Sequence, residues 1–401
     1  MFAKLPDAAQ HGPRELALKG DLAITLLATK GWASPEAKEI FEDALSVRKR
    51  FADPMITTPL LAALFGSVFT AGEMAAAAAT AGEISAVAEQ TGSRFARTWA
   101  EAMLAMVRLV GGDLAGARAS AARAIAAYEE EDHRLSPINP VVFARGQESA
   151  AAVIAGEIEF GVAKAGEMLA AAAHGNRMLD MAQARTEALA IYFHLRDTAE
   201  VEKHARALIA DAKEHNMQAY LAWAMIYHGW SVAMRDNAFE GRAILRKGLE
   251  LYAAGGRRLL INRYLSMLAD VQAAVGLLDH AVDAIDEALH AAPEQKIDEP
   301  TILWRRGELL LEKSAQSTNG YDAALLEQAE RDFREAIGRA HAMGAKLYEL
   351  RATSSLARIL KARGEIKQAR ELLQPLYDSF ARCDDSSDLK EAGTLLKALE
   401  C

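Results

Sequence analysis

Apolar and polar positions follow each other along this chain with the period of an α-helix, and the helical stretches come in pairs. Within each stretch, large apolar residues recur at i, i+3, i+4 and i+7, which places them on one face. A short break containing glycine, an acidic residue or both separates the two stretches of a pair. The pattern predicts antiparallel helix pairs joined by tight turns.

The breaks recur at a nearly constant spacing of roughly 40 residues, which is the mark of a repeat architecture. A small residue follows five positions after each glycine, as Ala77 follows Gly72. Arg196 and Asp236 stand where other repeats have glycine, and an insertion-bearing repeat occupies residues 301–341. The repeats are anchored near residues 31, 72, 112, 156, 196, 236, 276 and 364.

Small residues on either side of each break explain how the two helices meet. Ala269 precedes Gly276 by seven positions and Ala281 follows it by five, so the two backbones can approach closely. One pair cannot bury its apolar face alone, whereas a stack of pairs can. We therefore expect an all-α, right-handed α-solenoid of about nine helix pairs spanning 1–401 as a single domain, with a terminal capping helix at 388–401.

This spacing resembles the tetratricopeptide repeat (TPR) in its long form, most closely around Gly276 and the closing Pro293. Four further phrases resemble the helical repeat region of bacterial adenylate/guanylate cyclase–ATPase signalling regulators. They lie at residues 26–36, 306–311, 372–380 and 388–392.

In that family the repeats follow a cyclase domain and an ATPase domain. This chain has no G-x-x-x-x-G-K-[ST] phosphate loop and no G-x-G-x-x-G motif. The resemblance therefore implies a detached or truncated regulatory arm without cyclase or ATPase chemistry. It also implies that the first helices of the pairs line a concave groove that binds ligands.

Composition and charge narrow the range of partners. The 46 Lys and Arg against 55 Asp and Glu give a net charge of −9, which argues against a nucleic-acid partner. The longest apolar stretch, at 59–72, is too short to span a bilayer. Two cysteines, Cys383 and Cys401, fit a reducing compartment, so we expect a cytoplasmic protein without a cofactor.

Scarce aromatic residues are the first candidates for a binding site. Tyr220, Trp223, Tyr227 and Trp230 share one face of a first helix, where they could form a groove hot spot. The same spacing is also what packing between repeats requires, so both interpretations remain open. Equivalent helices carry Trp99, Tyr264 and Trp304.

Arginines on first helices are the second set of candidates. Arg263 and Arg351 both lie 13 positions before a loop glycine, and Arg94, Arg97 and Arg185 also fall on first helices. A basic line inside the curve of an acidic protein would select an acidic peptide or a charged small ligand. The alternative is that these are solvated charges on helix surfaces.

Other chemistry has weaker support. His194, His204, His215 and His228 fall within two repeats but lack H-E-x-x-H spacing, and residues 129–132 form an acidic run without a calcium-loop glycine. We predict no catalytic and no metal site.

The predicted function is therefore a non-catalytic interaction and signal-sensing module. It would be the regulatory arm of a cyclase- or ATPase-type signalling system, binding a protein segment, a peptide or a small effector in its concave groove. A free-standing scaffold that assembles unrelated partners is the alternative, and an enzyme with an unrecognised site between repeats is a third.

Overall fold

The computed structural model describes residues 39, 53–133, 136, 138–175, 177–235, 237–316, 322–380 and 386–400. This part of the chain forms 17 α-helices and no strand. The helices are α1 (Pro54–Thr70), α2 (Met74–Thr91), α3 (Arg94–Val110), α4 (Leu114–Ala127), α5 (Pro140–Ile154), α6 (Ile158–His174), α7 (Met178–His194), α8 (Thr198–Glu214), α9 (Gln218–Arg235), α10 (Ala238–Ala254), α11 (Ile261–Ala274), α12 (Leu278–Ala291), α13 (Glu299–Ala315), α14 (Ala323–Met343), α15 (Lys346–Ala362), α16 (Ile366–Tyr377) and α17 (Ser387–Ala398).

Short polar residues set where several of these helices begin. Asp53 and Asn139 cap α1 and α5, and each is followed by a proline, which lacks the backbone N–H that a first turn leaves unpaired. Asp113 and Ser386 accept backbone N–H groups at the starts of α4 and α17. Local sequence therefore sets where these four helices begin.

Odd- and even-numbered helices from α1 to α16 make eight antiparallel pairs, and α17 packs on the last pair. The predicted close approach within a pair is tightest between α9 and α10. A Cβ atom on Gly229 would lie 2.4 Å from the backbone nitrogen of Leu245, and one on Gly241 would lie 2.4 Å from the carbonyl oxygen of Gly229. Only glycine permits this distance, so the pair depends on both residues.

Successive turns of the solenoid touch each other. The backbone N–H groups of Arg258 and Leu259, just before α11, donate to the Thr70 carbonyl at the end of α1 over 2.9 and 3.1 Å. The N–H of Ile297, before α13, donates to the Val110 carbonyl at the end of α3 over 3.1 Å. The loop of each early pair thus meets the segment that precedes the pair five positions later.

We call this line of contacts the seam: the loops that follow α1, α3, α5 and α7, against the segments that precede α11, α13, α15 and α17. At its third step, a Cβ on Gly156 would lie 2.9 Å from Phe380 and 3.2 Å from the Lys346 Cβ. At its fourth step, Arg196 pairs with Asp388 at 3.1 Å. The seam closes the curved stack into a wall around its own axis.

Glycine has two separate roles in the loops between paired helices. Gly72 and Gly276 both have a left-handed backbone, with φ of 81° and 80°, which favours glycine. A Cβ on Gly72 would also crowd Arg258 across the seam, at 3.1 Å, whereas Gly276 has nothing within 4 Å. Loops of the first turn therefore need glycine for space as well as for conformation.

The predicted all-α solenoid of TPR-like helix pairs is confirmed. The expected pair anchored at Gly31, the loop residue Asp236 and both cysteines lie outside the described residues. The insertion-bearing repeat corresponds to α13 and α14, and the terminal helix ends at Ala398. No helix in the described part of the chain has the length and apolarity to cross a bilayer.

Candidate binding channel

The wall formed by the first helices and closed at the seam surrounds a cavity of about 360 Å³. We call this cavity the channel. Six first helices contribute to its lining: α1, α3, α5, α7, α9 and α11. Met178 is both 42% exposed and part of the lining, so it marks a rim where the channel meets solvent.

One register of the repeat contributes to the lining from all six of these helices. Residues 13, 9 and 6 positions before a loop anchor share a helix face, because these steps of 4 and 3 residues complete nearly two turns. In the repeat anchored at Arg196 these positions are Gln183, Glu187 and Ala190, and all three line the channel. The corresponding lining residues in the repeat anchored at Gly112 are Trp99, Met103 and Met106.

Glu187 places a carboxylate in this mostly apolar space. Gln183 Nε2 donates to its Oε1 over 2.7 Å, and Gln147 Nε2 donates to its Oε2 over 3.0 Å. Burial raises the pKa of the Glu187 carboxyl to about 7, against the opposing effect of the two amide hydrogen bonds and of Arg263. Room for the side chain comes from Gly146, where a Cβ would lie 2.5 Å from Glu187 Cγ.

Arg263 lines the same channel, but its charge is already compensated. Its Nε donates to Asp298 Oδ2 over 2.9 Å, and both side chains are at least 96% buried. Its Nη1 also donates to the Tyr227 hydroxyl over 3.3 Å. The guanidinium is therefore part of a neutral buried pair.

Aromatic side chains form a continuous part of the lining. Tyr220 packs edge-on against Trp223 with ring centres 5.7 Å apart, and Tyr227 meets Tyr264 in the same way at 6.0 Å. The indole N–H of Trp99 is buried and has no hydrogen-bond partner among the described residues. The aromatic residues thus pack between repeats and face the channel at the same time.

A second buried polar group lies at the seam, where α7 and α15 approach each other. Arg351 donates to both carboxylate oxygens of Asp388, at 2.6 and 3.0 Å, and to the His194 carbonyl at 2.9 Å. The Tyr348 hydroxyl and His194 Nδ1 share a hydrogen bond of 2.7 Å. Burial lowers the pKa of His194 well below its ordinary value, so the imidazole is neutral at physiological pH.

The eleven candidate residues from the sequence separate into two groups. Six of them line the channel: Trp99, Tyr220, Trp223, Tyr227, Arg263 and Tyr264. The remaining five lie elsewhere. Arg94 and Arg97 are exposed, and Arg185 pairs with Asp211. Arg351 is in the seam, where its guanidinium stacks on the Trp304 ring at 5.2 Å.

The expected line of free arginines inside the curve is therefore not formed by these residues. Glu187 and its two glutamines were missed by the sequence reasoning, although a usable signal was present. Arg263 was singled out at 13 positions before an anchor, and Glu187 and Gln147 lie 9 before theirs, on the same face. The described residues contain no group of three or more His, Cys, Asp or Glu side chains placed to hold a metal.

No family model matches the chain. An uncharacterized protein of Rhizobium meliloti (strain 1021) is 30% identical over 110 residues, which is 27% of this chain and 10% of that protein. The chain thus matches only about a tenth of the length of this curated relative.

Among solved structures, a Rap protein complexed with competence and sporulation factor is similar over 96% of this chain and 99% of its own. Its TM-score is 0.53 at 11% sequence identity. The apo form of RapI has a TM-score of 0.37, 10% identity and coverage of 81% of this chain and 93% of its own. The first of these likenesses assigns the fold to the TPR-like helical repeat proteins.

Proposed function

We propose that this chain is a non-catalytic regulatory module that encloses an apolar peptide segment or a small apolar effector in its channel. The observation that carries the proposal is the channel itself, which six successive first helices build around one axis. Its volume of about 360 Å³ falls within the usual range for small-molecule and cofactor pockets.

The lining supports a ligand that is apolar along most of its length. Phe65, Met103 and Leu260 face the space together with the aromatic residues described above. The unpaired indole N–H of Trp99 is a donor that a carbonyl oxygen of a peptide would satisfy. Burial of apolar ligand surface would supply most of the binding free energy.

The same residues that would contact the ligand also hold the seam together. Leu259 and Ile297 line the channel and also donate their backbone N–H groups across the seam. A ligand that fits one spacing of the two turns would stabilise that spacing and shift the pitch of the whole solenoid. Binding inside the molecule would thereby change its outer surface.

We infer that the altered surface acts on a separate protein chain in the cytoplasm, of the cyclase or ATPase signalling type that the repeat sequence resembles. The Rap protein of the same fold was solved in complex with competence and sporulation factor, which supports a binding role for this architecture. A scaffold with several unrelated partners remains the second candidate.

Filling the channel tests the proposal. Ala190 lies on α7 inside the channel, and Ala190→Trp should occupy the space that a ligand needs. We expect the parent protein to bind the neutral apolar dye N-phenylnaphthylamine with a rise in dye fluorescence. The variant should lose at least about nine-tenths of that signal, because an indole replaces the vacant volume.

Ala210→Trp is the matched control, since Ala210 is exposed on α8, a second helix outside the channel. It should bind the dye like the parent. Helix content and melting temperature of both variants establish that they fold. Equal dye binding by a folded Ala190→Trp protein would contradict the proposal.

A further inference from the structure

We propose that the channel selects ligands that carry a primary ammonium group, and that Glu187 is the residue that pairs with it. This inference rests on the proposed function, because it assigns the ligand class for the same channel. The ammonium could belong to a free amine or to a lysine side chain in an apolar peptide, and the two sources share one chemistry.

The carboxylate of Glu187 is fixed in place before any ligand arrives. Each of its oxygens accepts one amide N–H, from Gln183 and from Gln147, and Gln183 Oε1 in turn accepts from the Tyr220 hydroxyl over 3.2 Å. A carboxylate oxygen can accept further hydrogen bonds beyond these single contacts. The side chain is therefore oriented but still has unused acceptor capacity toward the channel.

No Lys, Arg or His of the described chain lies within ion-pair distance of Glu187. Arg263, on α11, is the cation that acts on the carboxyl through its field, and Asp298 already neutralises it. The lining also holds the hydroxyls of Tyr220 and Tyr227 on α9, the amides of α5 and α7, and two imidazoles, those of His194 and His215. A negative charge that is half-buried among neutral groups is costly, and a ligand cation would remove that cost.

The lining beyond Glu187 determines the chemistry of the part of the ligand that does not carry the ammonium group. Because the lining beyond Glu187 is mainly aliphatic and aromatic, the ammonium should be attached to an apolar body. Tyr220 and Trp223 present aromatic rings next to the carboxylate network, where rings can attract a cation through their faces. A doubly charged or strongly polar ligand would leave uncompensated groups in the apolar part.

The ionisation of Glu187 is consistent with this role. Burial raises the pKa of the carboxyl to about 7, so an empty channel holds a mixture of the charged and neutral forms near neutral pH. An ammonium ion binds only the charged form well. Binding of an amine near pH 7 should therefore release a proton, whereas binding of a neutral alcohol should not.

The test compares probes that differ in one group. Decylamine, decanol and decanoate are each used to displace N-phenylnaphthylamine from the intact protein. Two acetylated, amidated pentapeptides, Leu-Leu-Lys-Leu-Leu and its norleucine counterpart, are used in the same way. We expect decylamine or the lysine peptide to bind at least about tenfold more tightly than its neutral counterpart, which is typical of one charge-assisted hydrogen bond.

Glu187→Gln should remove this preference, so that decylamine and decanol bind about equally. Glu214→Gln, at an exposed site on α8, is the control that changes the same charge outside the channel, and it should keep the preference. Calorimetry in buffers of different ionisation enthalpy should show proton release when decylamine binds to the parent protein. It should show no proton release with decanol or with the Glu187→Gln variant.

The outcomes separate the two proposals. If the dye binds but the amine and the alcohol compete equally, or if Glu187→Gln weakens both alike, the ammonium assignment is wrong and the channel proposal stands. Tightest binding by decanoate would also overturn it and would point to Arg263. Failure of the dye and of all probes to bind would contradict both proposals. If the amine succeeds and the lysine peptide fails, the source is a free amine, and the reverse result identifies a peptide.

Discussion

Arg351 with Asp388 at the seam and Glu187 in the channel are both charges withdrawn from water, but only the first two are paired with an opposite charge. At the seam, Arg351 and Asp388 are 6% and 2% exposed and make two direct hydrogen bonds to each other. Burial alone would raise the pKa of Asp388, yet Arg351 and Arg196 hold it below its ordinary value. In the channel, Glu187 meets only neutral amides, and its pKa rises.

The paired charges at the seam stabilise the fold, whereas the unpaired carboxylate in the channel can bind a ligand. The buried pair of Arg351 and Asp388 is satisfied within the protein, and Arg351 also donates to the His194 carbonyl on the other turn, so its removal should damage the fold. A buried carboxylate without a partner lowers the stability of the folded state, so its removal should not destabilise the fold. Three predictions follow this contrast, from the largest expected effect to the smallest.

Breaking the seam pair should have the largest effect. Arg351→Ala leaves the Asp388 carboxylate buried without its main partner and removes a donor from the His194 carbonyl. We expect a loss of about 3–5 kcal/mol in the free energy of unfolding, measured by urea denaturation.

Arg370→Ala is the comparison for this variant. Arg370 and Glu400 are 48% and 57% exposed and lie 3.4 Å apart, so this substitution should cost less than about 1 kcal/mol. Similar losses for the two variants would show that the seam pair does not hold the turns.

Neutralising the channel carboxylate, unlike breaking the seam pair, should raise the stability of the protein, and the gain should depend on pH. Between its ordinary pKa of 4.5 and its raised value of about 7, Glu187 binds more protons in the folded state than in the unfolded state. The stability of the parent should therefore fall as pH rises through this window.

Glu187→Gln should remove that fall, so the variant becomes the more stable protein above about pH 8, by up to about 3 kcal/mol, and the difference shrinks toward about pH 4.5. Urea unfolding at four pH values measures the difference between the two curves, in which all other titrating groups cancel. A difference that does not vary with pH would mean that Glu187 is not buried as a lone carboxylate.

Removing one hydroxyl at the seam should have the smallest effect. Tyr348→Phe leaves buried His194 Nδ1 without the hydrogen bond of 2.7 Å, at a cost of about 1–2 kcal/mol. Tyr377→Phe is the control, because the Tyr377 hydroxyl makes no hydrogen bond within the described residues. Thermal unfolding of both variants gives the comparison, and equal melting temperatures would argue against a role for the Tyr348 hydroxyl.

The helix pairs themselves could be predicted from the sequence because each depends on nearby residues. The spacing of Ala269, Gly276 and Ala281 encodes a local contact that recurs in other repeats, as with Ala105, Gly112 and Ala117. The same periodicity placed Trp223 and Arg263 on the first helices, and both line the channel. Local and repeated information was therefore sufficient for the fold and for part of the lining.

The seam could not be predicted in this way, because it depends on the sum of small rotations over five pairs. Nothing near Arg196 in the sequence indicates Asp388, 192 residues away. Arg351 looked equivalent to Arg263 in the repeat, yet one lies at the seam and the other in the channel. Both arginines pair with an aspartate, 35 or 37 residues later, so position in the repeat decides this partner. Position in the superhelix decides whether the arginine also contacts another turn, as Arg351 does at the His194 carbonyl.

Each early pair meets the pair five positions later, so the seam amplifies small changes in the rotation between neighbouring repeats. A change of one degree in the rotation between neighbouring pairs is multiplied about fivefold by the time the chain returns to Gly72, Gly112 or Gly156. The glycine loops of the first turn, which have no space for a side chain, tolerate little of that accumulated error. A small change in packing anywhere along one turn should therefore produce its largest displacement at these glycine contacts of the seam.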